Sequence, residues 1–255
     1  GMTIAERFTL PEGFERIECE QGSFEEYVRN LPLIPYGEAA MEVDGDTNKR
    51  IVSKDTPKIA VLDRPVYFYT EQCADSCIRT WADYLFSQGR YNEICFQLAN
   101  GFECSFDKYC EGYVCVYQGG TPPFKWRKLD ETPELNYALL TKYLRFVYDY
   151  AYTGTMTSYL PKVSIENMKI GDVLVKNKTS TSKYGHAVMI ADMAVNKTTG
   201  EIIYLMIQGS TPAVDNHVIP NPASEFGSPW FKLQKGNIVT SAEWFFSSDH
   251  LKRFE

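Results

Sequence analysis

The sequence predicts an α+β protein in which a long helix packs on an antiparallel sheet, with an N-terminal accessory layer around that core. Three observations lead there. Residues 70–89 carry apolar side chains at helical spacing. Residues 168–210 hold three strand-like runs joined by turn signals. Residues 1–65 are cut by Pro and Gly into pieces with too few apolar residues for a core of their own.

Within the first 65 residues, SFEEYVRNLPL reads as a short helix, with Ser23 as N-cap, Glu26 completing a capping box and Pro32 as a stop. MEVDGDTNKRIVSK reads as a hairpin around an Asp-Gly turn. In the helix over 70–89, Cys73, Cys77, Trp81 and Leu85 form a stripe that Ile78 and Tyr84 widen, with Thr70 as cap and Gly89 as terminator. Two β segments follow over 90–101 and 111–120; in the first, Ile94, Phe96 and Leu98 alternate with Cys95, Gln97 and Ala99. Residues 132–153 predict a second long helix with Pro133 at its first position and Asn136 in its first turn. MKIGDVLVKN (168–177), YGHAVMIADMAVN (184–196) and GEIIYLMIQGS (200–210) are strands, the last two joined by a KTTG turn. No repeat, linker or low-complexity run divides the chain. It is expected to be one domain over 1–255, with residues 1–65 wrapping a core formed by 66–255.

With 44% hydrophobic and 23% charged residues, the 255-residue chain has the composition of a globular protein with a substantial core. A net charge of -7, with KWRK at 125–128 as the densest basic stretch, argues against nucleic acid as a partner. No apolar run approaches the roughly 20 residues a bilayer span requires. Seven cysteines are an odd number, so at least one is unpaired within a monomer, and their spacings include no CxxC or zinc-finger pattern. Nothing in the sequence sets an oligomeric state.

Cys73 and His186 are the candidate catalytic pair. A cysteine in the first turn of a helix meets unpaired backbone N–H groups and the positive end of the helix dipole, which favour a thiolate and a developing oxyanion. The plain alternative is that Cys73 only begins the apolar stripe. His186 is one of three histidines and follows Gly185 on a strand of Ala, Val, Met and Ile; Gly185 opens space beside the imidazole for a substrate backbone. If residues 195 and 201 pair at the hairpin end, 188 lies opposite 208, and Gln208 falls diagonally across from His186 as its orienting partner. A one-residue slip would remove that contact. Gln72 and Asp75 flank Cys73 as candidate substrate-binding residues, with Asp75 alternatively a helix-capping carboxylate. Asp192 reads as a turn-proximal or edge carboxylate, His217 as a β-strand histidine with no cysteine partner, and His250 as solvated. A carboxylate pair drawn from Glu71, Asp75, Asp172 and Asp192 is not favoured by spacing.

The Cys-started helix followed by GDVLV and GHAVMIAD resembles the Cys-then-His order of NlpC-type and CHAP amidase/peptidase domains. Through EQCADSCIRTWADYLF, YAYTGTMTSYL, GHAVMIADMAVNKTTGE and SPWFKL…TSAEWFF…LKRFE, nearly the whole chain resembles an uncharacterised bacterial family, a domain of unknown function common in secreted or lipid-anchored proteins. The chain departs from that family's pattern after Gln208, where it reads QGSTPAV, with Gly209 and Val214 in place of polar groups. The resemblance implies a papain-like (NlpC-type) core and acyl transfer at a peptide or cell-wall amide, with Cys73 as nucleophile, His186 as base and Gln208 as third member. That chemistry requires no metal and no organic cofactor. It also implies an extracytoplasmic protein, secreted or lipid-anchored to the bacterial envelope; Gly1 before Met2 reads as a cloning scar, so an export signal is expected to be missing from this sequence. Against that stand seven cysteines without a disulfide framework. The competing expectation is an inactive envelope protein that binds a glycan or peptide through an aromatic cleft built from Trp126, Trp230 and Trp244.

Overall fold

A computed structural model describes residues 2–57, 59–180, 183–241 and 244–255. Gly1, Lys58, Thr181, Ser182, Ala242 and Glu243 lie outside the described residues. The fold is mixed α+β, with six α-helices among the described residues and antiparallel strand pairing throughout. The helices are α1 (Ile4–Arg7), α2 (Phe24–Arg29), α3 (Cys73–Ser87), α4 (Phe106–Cys110), α5 (Tyr137–Tyr150) and α6 (Thr153–Tyr159).

The central sheet has seven strands: β1 (Phe14–Arg16), β8 (Val173–Lys176), β9 (His186–Asn196), β10 (Ile202–Gln208), β11 (His217–Val218), β12 (Phe231–Lys232) and β15 (Leu251–Lys252). Its main path runs β11-β10-β9-β8-β15, with β1 along the far half of β9 and β12 along the near half of β10. Four separate hairpins complete the set: β2 (Met41–Val43) with β3 (Arg50–Val52), β4 (Cys95–Gln97) with β5 (Glu103–Ser105), β6 (Tyr113–Tyr117) with β7 (Phe124–Lys128), and β13 (Asn237–Val239) with β14 (Phe245–Ser247).

β9 is the axis of the sheet because its sequence leaves it no solvated face: residues 186–194 are all buried. α3 packs on it and is itself largely buried. The predicted stripe Cys73, Cys77, Ile78, Trp81, Tyr84 and Leu85 is inside, and so are Asp75, Ser76, Thr80 and Asp83. These polar groups find partners: Ser76 Oγ donates to the Cys73 carbonyl at 2.8 Å, Thr80 Oγ1 to the Ser76 carbonyl at 2.7 Å, and Tyr137 OH to Asp83 at 2.8 Å.

Several predicted boundaries are corrected. α3 begins at Cys73 with Gln72 as N-cap, not Thr70, because a tight turn (Gln72 N–H to the Thr70 carbonyl) precedes it. Gly89, at φ +69°, does follow its end. α5 begins at Tyr137: Asn136 is extended and its side chain accepts from the Leu139 N–H, so Pro133 precedes the helix instead of opening it. The predicted helix to 153 is interrupted at Ala151 and Tyr152, both extended, and α6 follows as a separate helix. Ser23 caps α2 as expected, but Glu26 reaches back to the Gly22 N–H at 2.6 Å. His250, read as solvated, is half-buried, and its Nδ1 accepts from the Ser247 N–H at 2.9 Å; the tail after it supplies β15, paired with β8, and buried Phe254.

Residues 1–65 attach at two buried carboxylates. Asp192, fully buried in β9, receives Arg16 at 2.8 Å and Arg29 at 2.7 Å, so it is neither an edge nor a turn carboxylate. Asp215, before β11, accepts from the Met41 and Val66 N–H groups and from both terminal nitrogens of Arg50, each at 2.9 Å. Ile4, Phe14, Val28, Leu31 and Leu33 join the main apolar cluster. Asp172 plays the same part for the C-terminus, held by Arg253 at 2.6 and 2.9 Å.

Candidate active site

Cys73 is the first residue of α3, and the helix start faces the first residues of β9. The backbone N–H groups of Ala187, the residue after His186, of Ala74 and of Cys73 itself act electrostatically on its thiol. These donors favour the thiolate, but burial outweighs them and pushes the thiol up to about 11. The expectation of a resting thiolate at the helix N-terminus is therefore corrected. Only 7% of Cys73 is exposed, and that part opens into a cleft of about 310 Å³.

Gln72, Asp75 and Gly185 line the same cleft, as do Tyr152, Tyr184 and Thr211. The Gln72 carboxamide is anchored by Thr211, whose hydroxyl donates to its oxygen at 2.9 Å. Asp75 accepts from the Gln72 N–H at 3.0 Å through one oxygen; the other has no partner among the described residues. Burial raises the Asp75 carboxyl well above the usual range. Gly185 has a reason other than substrate approach. A Cβ there would sit 2.2 Å from Thr153 Oγ1 and 2.7 Å from the Lys176 carbonyl, so the space it leaves is already filled.

His186 opens β9, opposite Lys176 of β8. Its Nε2 is 2.9 Å from Gln208 Oε1, the diagonal contact expected from the sequence, although the register that makes it differs at the hairpin end. Val195 pairs with Ile202, one residue beyond the expected partner. A β-bulge then inserts Ala191 between Asp192, opposite Leu205, and Ile190, opposite Met206, and the offset is cancelled before the strand reaches Gln208. Burial lowers the His186 pKa, partly opposed by the Gln208 hydrogen bond. Trp244 stacks on the imidazole at 4.7 Å between ring centroids, with Phe246 at 6.1 Å.

Sequence reasoning did not place His217 here. β11 pairs with β10 so that His217 sits opposite Gln208, its Nε2 3.1 Å from Gln208 Nε2 and its Nδ1 3.2 Å from the Asp215 carbonyl. The signal was the β-like VDNHVIP string; its pairing partner depends on the course of 209–216, which carries no periodicity. Gly209 is set by that course, since a Cβ would lie 3.0 Å from Asn216 Oδ1 and 3.1 Å from Ser76 Cβ. Val214 is buried with Ala40 and Val61.

The competing features are dispersed. Glu71 pairs with Arg79 at 2.8 Å, and Asp172 and Asp192 are occupied by arginines, so no two of the four carboxylates form an open pair. Trp230 is buried with its Nε1–H donating to the Thr9 carbonyl, Trp126 packs on Phe102 and Tyr109, and Trp244 covers His186. A larger hollow of about 600 Å³, beside Trp230 and the 221–226 loop, is lined by neither cysteine nor histidine. All seven cysteines are free thiols. Among the described residues, no three His, Cys, Asp or Glu side chains converge as metal ligands, and no helix is long and apolar enough to cross a membrane.

Fold and site together define a mixed α+β protein whose central helix opens on a buried cysteine beside a His-Gln pair on neighbouring antiparallel strands. The chain belongs to the family described as a domain of unknown function, DUF4846, which matches residues 4–253. No curated protein and no solved structure matched it.

Proposed function

We propose that the protein is a papain-like (NlpC-type) cysteine hydrolase that cleaves an amide, with Cys73 as nucleophile, His186 as general base and Gln208 as its orienting partner. The observation that carries this reading is the 2.9 Å contact between His186 Nε2 and Gln208 Oε1, on a strand packed against α3, the helix that Cys73 opens. Gln208 accepts the Nε2 proton, which leaves the Nδ1 lone pair as the basic site. As the substrate carbonyl enters the cleft, the Cys73 S–H passes its proton to His186 Nδ1 and the sulfur forms a bond to carbon. The oxyanion is met by backbone N–H groups at the start of α3 and by the amide nitrogen of Gln72. Collapse breaks the C–N bond, and the amine leaves with the proton from His186. Water, deprotonated by the same imidazole, then releases the acid. Trp244 keeps bulk water from the His186 face. A cell-wall peptide or another extracytoplasmic peptide amide fits the implied envelope location.

Peptidyl electrophiles that mimic an amide test this directly. Wild type is expected to be labelled at Cys73 faster than at the half-buried thiols Cys19, Cys95 and Cys110, and H186A is expected to lose that preference. Equal labelling of Cys73 in wild type and H186A would sink the mechanism.

A further inference from the structure

We infer that His217 is a positioning residue: by fixing which way the Gln208 carboxamide faces, it selects the His186 tautomer whose Nδ1 can take the Cys73 proton. The catalytic consequence rests on the hydrolase reading; the tautomer assignment rests on geometry alone. The chain of contacts starts at a group with no choice. The Asp215 carbonyl only accepts, so the His217 Nδ1 at 3.2 Å carries a proton and donates it. A neutral His217 then has a bare Nε2, and the group 3.1 Å away is the Gln208 NH2, which donates to it. With its nitrogen committed to His217, Gln208 turns its oxygen to His186, and Nε2 of His186 donates at 2.9 Å. Reversing the Gln208 amide would set its oxygen against the His217 lone pair and its NH2 against the Nε2–H of His186. The reversal becomes acceptable only if His217 takes a second proton, and its burial, at 3% exposed, opposes that charge.

His217 is itself held from outside the sheet. Val61 bridges to His217, the Val218 N–H donates to the Ala60 carbonyl, and the Leu62 N–H donates to the Asn216 carbonyl. Asp215, whose carbonyl begins the chain of contacts, is fixed by Arg50 and two backbone N–H groups. The N-terminal region thus reaches the imidazole of His186 through His217 and Gln208.

The test is histidine tautomer state by long-range 1H–15N correlation, with H250Q simplifying the three-histidine spectrum. Wild type is expected to show Nε2–H on His186 and Nδ1–H on His217; the opposite tautomer on either residue overturns the proposal, whatever any variant does. H217F is expected to turn His186 into a tautomer mixture and to slow iodoacetamide modification of Cys73 about tenfold, at the lower end of what removing an outer partner of a working histidine does. A folded H217F with an unchanged His186 tautomer overturns the proposal. If the tautomers respond as expected but Cys73 is inert in both proteins, the positioning is supported and the hydrolase reading fails.

Discussion

At Cys73 two opposing influences meet. The start of α3 offers N–H donors to the sulfur, while the surrounding β9 and the helix itself remove water from it, and desolvation prevails. Burial thus favours the neutral form of both groups, and in the mechanism proposed above the proton moves as the substrate arrives. His186 is shifted below the ordinary histidine value by burial. The acid limb of a kcat/KM profile, set by protonation of the free base, is thus expected below about pH 6.5. An acid limb above that value would show that burial does not govern the base. Asp75 carries a second pH signature. Its folded-state pKa is raised, so the native state binds the proton more tightly than the unfolded chain. The resulting penalty is absent below about pH 3.9 and grows as pH rises toward the folded value. D75N keeps an acceptor for the Gln72 N–H and removes the penalty. Urea unfolding is expected to find D75N more stable than wild type at pH 7, with the difference closing near pH 4.

Among the elements, α3 and the β8-β9-β10 sheet were readable because their apolar residues form a helical stripe and strand-length runs; the stripe is buried in α3, and so are the alternating Ile94, Phe96 and Leu98. The buried polar side of α3 was not readable: Asp83 and Thr80 look like a solvated face until Arg64 and Tyr137 are known to cover them. Gln208 was found for a reason that is partly fortunate. The expected hairpin pairing was one residue out, and the Ala191 bulge, which has no sequence signature, returned the strand to the assumed register. His217 and Trp244 were out of reach because each joins the site through a connection of unpredictable course. Gly185 was singled out for substrate access, packing gives it a second reason, and substitution separates the two. G185A is expected to destabilise by ~1–3 kcal/mol through overpacking against Thr153 and the Lys176 carbonyl. G185A/T153S, which keeps the hydroxyl, is expected to recover little; a freely tolerated G185A in chemical denaturation would return the glycine to the substrate-access role.

For the molecule as a whole, the N-terminal 65 residues are joined to the core by arginines on two carboxylates that water barely reaches. Removing one partner of such a pair leaves a charge without compensation. R29M is expected to cost ~3–5 kcal/mol, because Arg29 is nearly as buried as Asp192. R16M should cost less, since Arg16 is a quarter exposed and water can partly replace it. Equal losses in the two variants, read from denaturant midpoints, would mean that Asp192 does not depend on which arginine remains.

The clasp at Asp215 also sets an order of events in time. Its partners Met41, Arg50 and Val66 lie 174, 165 and 149 residues away along the chain. Contacts of that separation form slowly, because a long loop must close before they return anything. On the proposed mechanism, a growing polypeptide that has emerged through Cys73 has the nucleophile but no base, and one that has emerged through Gln208 still lacks His217. The proposed hydrolysis, unlike the simple reactivity of an exposed thiol, is therefore expected to be withheld until synthesis is nearly complete.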